Sequence, residues 1–220
     1  MISTLAGDVY SIAEAARLLN MPSATLTYWL EGRSKVKPVL RPKSTGRRTL
    51  TWGEFVEAGL LRQYRTNHLP MAELRVFISA LRDELGVPYP LAHARPFMSR
   101  RDLLWGAQQR AQLPTSEALV SERDGQYLLL PAADAFLQRV DFAGGDTARR
   151  WRPASELEDV VLDPEHRFGA PTIAGIRTRT LWEAVRDTDD VNATADLYGL
   201  MPQQVHQALA FEELQRSRAA

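Results

Sequence analysis

Residues 10–32 read Tyr10-Ser11-Ile12-Ala13-Glu14-Ala15-Ala16-Arg17-Leu18-Leu19-Asn20-Met21-Pro22-Ser23-Ala24-Thr25-Leu26-Thr27-Tyr28-Trp29-Leu30-Glu31-Gly32. Ser11 is placed to cap a helix, and Glu14 three residues on completes a capping box. Ile12, Ala15, Ala16 and Leu19 then repeat at helical spacing. Asn20-Met21 breaks that helix, and Pro22 suits the first turn of another, where its missing N–H costs nothing. Thr25, Leu26, Trp29 and Leu30 carry the second helix to Gly32, a natural terminator. Two short helices across a tight turn are the layout of a helix-turn-helix.

Directly after it comes a basic run, Arg33 to Arg48, with seven cations and no acid. It holds all three lysines of the chain, Lys35, Lys37 and Lys43. Pro38 and Pro42 keep the run out of a helix. Val39-Leu40 and Arg48-Thr49-Leu50 read as two short strands around Thr45-Gly46, which would make a winged helix-turn-helix with cations on its wing. Such a cluster on a protein of zero net charge is an electrostatic footprint for phosphate. Thr51 and Glu54 form a second capping box and open a helix through about Arg65. Another, Met71 to Leu85, places Leu74, Phe77, Ile78, Leu81 and Leu85 on one face. Gly86-Val87-Pro88-Tyr89-Pro90 ends it.

Further along, residues 117–130 read as a hairpin turning at Asp124-Gly125. A short helix follows from Pro131 to Val140, and Gly144-Gly145 is a break. Arg149, Arg150 and Arg152 surround Trp151 and are read either as a phosphate contact or as a salt-bridged rim. Residues 160–181 suggest short extended segments with turns. Helices are expected from Leu181, from an Asn192 cap to Tyr198, closed by Gly199, and from Pro202 to about Gln215. Ala15, Met21 and Pro22 recur as Ala195, Met201 and Pro202 at an offset of 180, so this end repeats the helix-turn-helix pattern.

Charge divides the chain. Residues 1–80 carry eleven basic and six acidic side chains, residues 81–153 ten and nine, and residues 154–220 six and twelve. Asymmetry of that kind predicts a nucleic-acid end and a different, acidic end suited to protein contact. The predicted fold class is mainly α with small β elements. Three segments are expected: a winged helix-turn-helix over 1–86, a central linking region with a hairpin over 87–153, and a C-terminal domain over 154–220.

Residues 8–86 resemble the MerR-type winged helix-turn-helix, on Tyr10 to Leu19, Pro22 to Trp29, the basic run, and Leu50-Thr51-Trp52. An arginine usual before the reading-helix tyrosine is Thr27 here, and the family's long dimerising coiled coil is absent. The resemblance implies base-edge contacts from Ser23, Ala24, Thr27 and Tyr28. It implies phosphate contacts from Arg33, Lys35, Lys37, Arg41, Lys43, Arg47 and Arg48. Trp29 and Trp52 are read as core.

Residues 160–212 resemble a small bacterial antitoxin domain, on Asp163-Pro164, Gly169, Pro171, Ile173, Gly175, Arg177, Ala195-Asp196, Tyr198-Gly199, Val205 and Ala208-Leu209. With a MerR-like front end, such chains look like VapB-type antitoxins, whose usual partners are PIN-fold, magnesium-dependent ribonuclease toxins. The resemblance implies a cognate toxin partner, operator DNA, a homodimer within a toxin–antitoxin complex, and repression of the chain's own operon. An arginine can pair bidentately with a carboxylate cluster that would otherwise hold Mg²⁺. Arg177, Arg179, Arg216 and Arg218 are the candidates, Arg177 having an internal ion pair to Asp163 or Asp187 as its other reading. Phe211 and Leu214 are candidates either to anchor a partner or to close the core.

Zero cysteines excludes disulfides, thiolate catalysis and zinc ribbons. Four scattered histidines and no phosphate-binding glycine loop or nucleophile elbow argue against an enzyme. No cofactor or metal is expected. Neither a membrane-length apolar stretch nor a signal sequence is evident, so a cytoplasmic location is expected. The rival expectation is a stand-alone MerR-like regulator with a C-terminal sensing or interaction domain.

Overall fold

The computed structural model describes residues 4–66, 70–114, 118–142, 146–154 and 156–217. It is mainly helical with small antiparallel sheets. The chain divides into two compact units, Met1–Ala148 and Arg149–Ala220.

In the front unit, β1 (Asp8–Ser11) leads into α1 (Ile12–Leu18), and α2 (Ser23–Glu31) follows after a short turn. Ser11 Oγ accepts the Glu14 N–H at 3.2 Å. Ala15, Ala16 and Leu18 of α1 are buried with Leu26, Trp29 and Leu30 of α2. Pro22 caps α2 rather than opening its first turn: its ring fixes φ at −61°, but ψ of 133° is extended. Gly32 ends α2 at φ 72°, and a Cβ there would lie 2.2 Å from the Val36 carbonyl oxygen, so only glycine fits.

The expected wing hairpin does not form. β2 (Thr49–Thr51) pairs with β1, in the register Tyr10↔Leu50 and Ser11↔Thr49. Val39 and Leu40 instead donate both N–H groups to the Trp29 carbonyl, at 2.9 and 3.1 Å. Their side chains are buried as an apolar plug. Two flanking prolines leave too few donors for a ladder, so packing decides. Residues 33–48 are therefore a pinned loop.

Helix α3 (Trp52–Thr66) begins with a reciprocal capping box: Thr51 N–H donates to Glu54 Oε2 and Glu54 N–H to Thr51 Oγ1. Trp52 and Phe55 stack with centroids 5.4 Å apart, and Trp52 Nε1 donates to the Ala148 carbonyl. Both tryptophans read as core, Trp29 and Trp52, are buried. Helix α4 (Met71–Leu85) buries Leu74, Phe77, Ile78 and Leu81. The stop at Gly86 ends α4 but does not end the unit. Short α5 (Arg95–Met98) precedes α6 (Arg101–Ala111), which packs on α4. Buried Gln108 of α6 receives the N–H groups of Leu119 and Val120 and donates to the Val120 carbonyl. It thereby holds the hairpin of β3 (Val120–Arg123) and β4 (Gln126–Leu129), which turns at Asp124-Gly125. α7 (Pro131–Leu137) and β5 (Val140–Phe142) follow, and the unit ends at Ala148. The Gly144-Gly145 break and the start of the hairpin at Glu117 lie outside the described residues.

Glu57 of α3 is fully buried. Burial pushes its carboxyl up to about 8. Arg82 opposes this weakly, since it stands 3.7 Å off and spends N–H groups on the Pro88 and Val39 carbonyls. A carboxyl protonated in the native state and ionised in the unfolded one makes stability fall as pH rises. The window runs from the ordinary 4.5 to about 8. Between pH 7 and pH 8 the loss is about 1 kcal/mol. Glu57→Gln flattens this dependence in denaturation curves taken across that range; an unchanged slope would place the proton elsewhere.

The second unit begins in β6 (Ala148–Trp151), which enters it at Arg149. Trp151 bridges Leu162, and Val161 bridges Thr172. β7 (Thr172–Ile173) and β8 (Ile176–Arg177) form a two-residue hairpin. α8 (Thr178–Thr188), α9 (Val191–Tyr198) and α10 (Pro202–Ser217) follow and pack on one another. Asp190, not Asn192, caps α9, its Oδ1 accepting the N–H groups of Asn192 and Ala193. Gly199 closes α9 in the left-handed region. Ile173, Leu181, Ala195, Val205, Ala208 and Phe211 form the core.

Candidate functional site

The basic loop is built around one buried cation. Arg41 is 2% exposed. Its guanidinium reaches both Glu54 oxygens, Glu31 Oε1, Thr45 Oγ1 and the Thr49 carbonyl. Glu31 in turn accepts the Ser44 hydroxyl and the N–H groups of Thr45 and Gly46, these two at 2.9 Å. Burial pushes the Glu31 carboxyl up, but Ser44, the two backbone donors and Arg41 together hold it below the usual range. Burial works against the charged form of Arg41 as well, and its two acids overcome it and raise its pKa. The expectation that Arg41 grips phosphate is thus corrected: every edge of its fork is turned inward. It closes the loop that carries the others.

Those others stand outward. Arg33, Lys35, Lys37, Lys43, Arg47 and Arg48 are exposed. Arg47 is shared with Asp8 at 3.0 Å. Arg75 of α4 holds the loop from behind by donating to the Lys37 carbonyl, and Arg82, two turns on, donates to that of Val39. Neither role was legible from residue order. The signal available was that both lie on the α4 face carrying the apolar stripe.

On α2, Ser23, Ala24 and Thr27 are exposed, while Tyr28 is half-buried. The Tyr28 ring lies under the guanidinium groups of Arg33 at 6.0 Å and Arg75 at 5.1 Å. Thr27 Oγ1 donates to the Ser23 carbonyl, leaving its lone pairs outward. Two grooves flank this ridge. One, of about 590 Å³, is lined by Ile12, Ser23, Thr27, Gly46, Arg47 and Arg48, among others. The other, of about 380 Å³, is lined by Ala24, Thr25, Tyr28, Arg33 and Val36. A convex helix edge with arginines on both sides is a shape that a polyanion can straddle.

In the second unit the expected contact residues separate. Phe211 is 1% exposed and belongs to the core, so it is not an anchor for a partner. Beside it in sequence, Glu212 ties α10 to α8, its Oε1 accepting the Thr178 hydroxyl at 2.6 Å. Leu214 is half-buried. Arg216 stacks 3.3 Å over the Trp182 ring, with Arg186 at 4.6 Å. Arg179 is exposed and paired with Glu183 one turn on. Arg218 lies outside the described residues. Arg177, at the N-cap of α8, is exposed and makes no ion pair among the described residues. Asp163, its alternative partner, instead receives Arg150 at 3.0 Å, with Arg149 and His166 close by. Burial raises the Asp163 carboxyl, and Arg150, the Glu165 N–H and His166 more than reverse this and hold it low.

Among the described residues no group of three potential metal ligands converges. No helix there is long and apolar enough to cross a membrane.

A mainly helical protein of two units, with a cationic helix–turn–helix face in front, is what the geometry defines. The chain is 31% identical to the Mycobacterium tuberculosis protein Rv2308, described as uncharacterized, over 97% of this chain and 94% of that one, and it belongs to the same family. A second M. tuberculosis relative, named "Putative antitoxin VapB45", is 28% identical over 91% of this chain and 92% of its own length. The crystal structure of Rv2018 from the same organism superposes with a TM-score of 0.75 at 28% identity, covering 94% of this chain and 99% of that one. No family model matches the sequence.

Proposed function

We propose that the chain is the antitoxin of a type II toxin–antitoxin pair. In this reading it binds and inhibits a PIN-fold ribonuclease toxin and represses its own operon through a MerR-like DNA-binding front unit. The observation that carries the reading is end-to-end similarity to a relative named as an antitoxin. The cationic face of the front unit supports the DNA half. Ser23, Ala24, Thr27 and Tyr28 present small or neutral groups to base edges, so direct base readout is modest. Arg33, Lys35, Lys37, Lys43, Arg47 and Arg48 supply phosphate contacts and register.

For the toxin half, Arg177 is the best-placed cation, being exposed, free of acids among the described residues and fixed at a helix start. Inserted between active-site carboxylates, its planar fork would take the place of Mg²⁺ or RNA. Arg216 would approach from α10, its guanidinium already ordered on Trp182.

The test is co-expression with the product of the adjacent gene. Growth arrest by that product alone, relieved by this chain and restored when Arg177→Glu is introduced, is the expected result. Arrest that persists beside the wild-type chain rejects the antitoxin reading.

A further inference from the structure

Two arginines of α4 tie down the loop that carries the outward cations, and one of them also faces a buried acid. Arg75 Nε donates to the Lys37 carbonyl at 3.0 Å. Arg82 Nη2 donates to the Val39 carbonyl at 3.2 Å, and its Nε to the Pro88 carbonyl at 2.9 Å. The same Nη2 stands 3.7 Å from Glu57 Oε2. Arg82 is 17% exposed and Glu57 fully buried, so solvent ions screen the pair little.

The two oxygens of Glu57 are not equivalent. Oε1 accepts the Leu91 N–H at 3.1 Å. Oε2 is buried and has no hydrogen-bond partner among the described residues. Once ionised, that oxygen becomes an uncompensated buried charge and draws on any donor within reach. Facing Glu57 are Arg82 from α4, Glu54 from its own helix, and the Tyr89 phenol and Leu91 N–H from the segment beyond Gly86. Glu54 is an acid already committed to Arg41. Burial holds the Tyr89 phenol above its ordinary range, so it stays neutral, and its hydroxyl is engaged by Thr51. Arg82 is therefore the donor that an ionised Glu57 recruits.

Closing the 3.7 Å gap to an ordinary N–H···O length of about 2.9 Å moves Nη2 by nearly an ångström. The Val39 bond is the longer of the two carbonyl bonds that Arg82 makes, at the outer end of normal geometry, so it is the one that yields.

We propose that Glu57 and Arg82 form a proton-operated latch on the basic loop: with Glu57 neutral, Arg82 holds the Val39 carbonyl, and with Glu57 ionised it turns to the carboxylate and releases that side of the loop. Arg75 and the Arg41 cluster remain, so the loop loosens without unfolding. Burial raises the Glu57 carboxyl to about 8, so the latched form prevails below that pH and the released form above it. The latch itself is independent of any ligand. Its consequence, phosphate contacts held in register at lower pH and loosened at higher pH, rests on the DNA-binding reading above.

Amide hydrogen exchange on the full-length chain, corrected for intrinsic rates, reads the loop without DNA. The Val39 and Leu40 N–H groups, both on the Trp29 carbonyl, report the loop. Those of Leu119 and Val120, both on Gln108, report the rest of the unit. Between about pH 6.5 and about pH 9 the loop amides are expected to lose about tenfold in protection relative to the hairpin amides, the effect of one hydrogen bond. Glu57→Gln, a neutral isostere of the latched form, keeps the loop protected across the range. Arg82→Gln lowers loop protection at both ends and removes its pH dependence. Loop amides that titrate alike in the wild-type and Glu57→Gln proteins overturn the proposal, as does a loss shared equally by the hairpin amides. Titration of the upstream DNA at both pH values separates this from the DNA-binding reading. An affinity that falls with pH in the wild type but not in Glu57→Gln carries the latch through to DNA. A loop that titrates as expected, with no DNA bound at either pH, overturns the DNA-binding reading and leaves the latch standing.

Discussion

Arg41→Ala destabilises the front unit by about 3–5 kcal/mol, the cost of leaving buried acids without their cation. Glu54 is 1% exposed and Glu31 17%, so neither can recover hydration once the guanidinium is gone. The loop also loses its tie to the Thr49 carbonyl, which adjoins the β1–β2 pair. Chemical denaturation followed by tryptophan fluorescence, to which Trp29 and Trp52 of this unit contribute, measures the change. Lys43→Ala in the same loop serves as the comparison. Lys43 is exposed, and its replacement shifts stability by less than about 0.5 kcal/mol. Equal effects at the two positions would mean that Arg41 is not the loop's internal clasp.

The same contrast reverses when DNA is the readout. Of the six outward cations, Arg47 is shared with Asp8, so about five phosphate contacts are expected, and log affinity falls against log salt with a slope near −4.5. Joint replacement of Lys35, Lys37 and Lys43 by alanine reduces that slope by about 2.7 and weakens binding on the order of a hundredfold at physiological salt, with little dependence on sequence. Titration of the upstream DNA at several salt concentrations reads both quantities. A slope unchanged by the triple replacement would remove the loop from the interface.

Where local chemistry dictates structure, the sequence was a good guide. Ser11 and Thr51 cap the helices they were read to cap, and Gly32, Gly86 and Gly199 end theirs. The apolar spacing in α4 marks Leu74, Phe77, Ile78 and Leu81, which are buried, while Leu85 at its end is half-buried. What was not legible depended on partners distant in sequence. Arg41 looked like one cation among seven, and only the approach of Glu31 and Glu54, ten and thirteen residues away, turns it inward. Val39-Leu40 had strand-like composition, yet the Trp29 carbonyl takes their donors and β1 takes the strand they would have paired with. Phe211 lay at helical spacing that fits a core or a partner face, and its burial decides for the core.

The division of the chain into units also came out coarser than the three expected segments. Residues 87–153 looked like a linking region, but α6 packs on α4 and the Leu91 N–H donates to Glu57, and the stretch up to Ala148 belongs with the front unit. The basic face is therefore mounted on a unit that runs from Met1 to Ala148. The acidic segment forms a unit of its own.

Inhibition of a purified nuclease tests the central claim most directly. The product of the adjacent gene is assayed for magnesium-dependent RNA cleavage while this chain is added in increasing amount. The account predicts that cleavage stops when the two proteins reach a fixed stoichiometric ratio, and that Arg177→Glu shifts or abolishes that end point. Cleavage that continues undiminished at a large excess of the chain would contradict it.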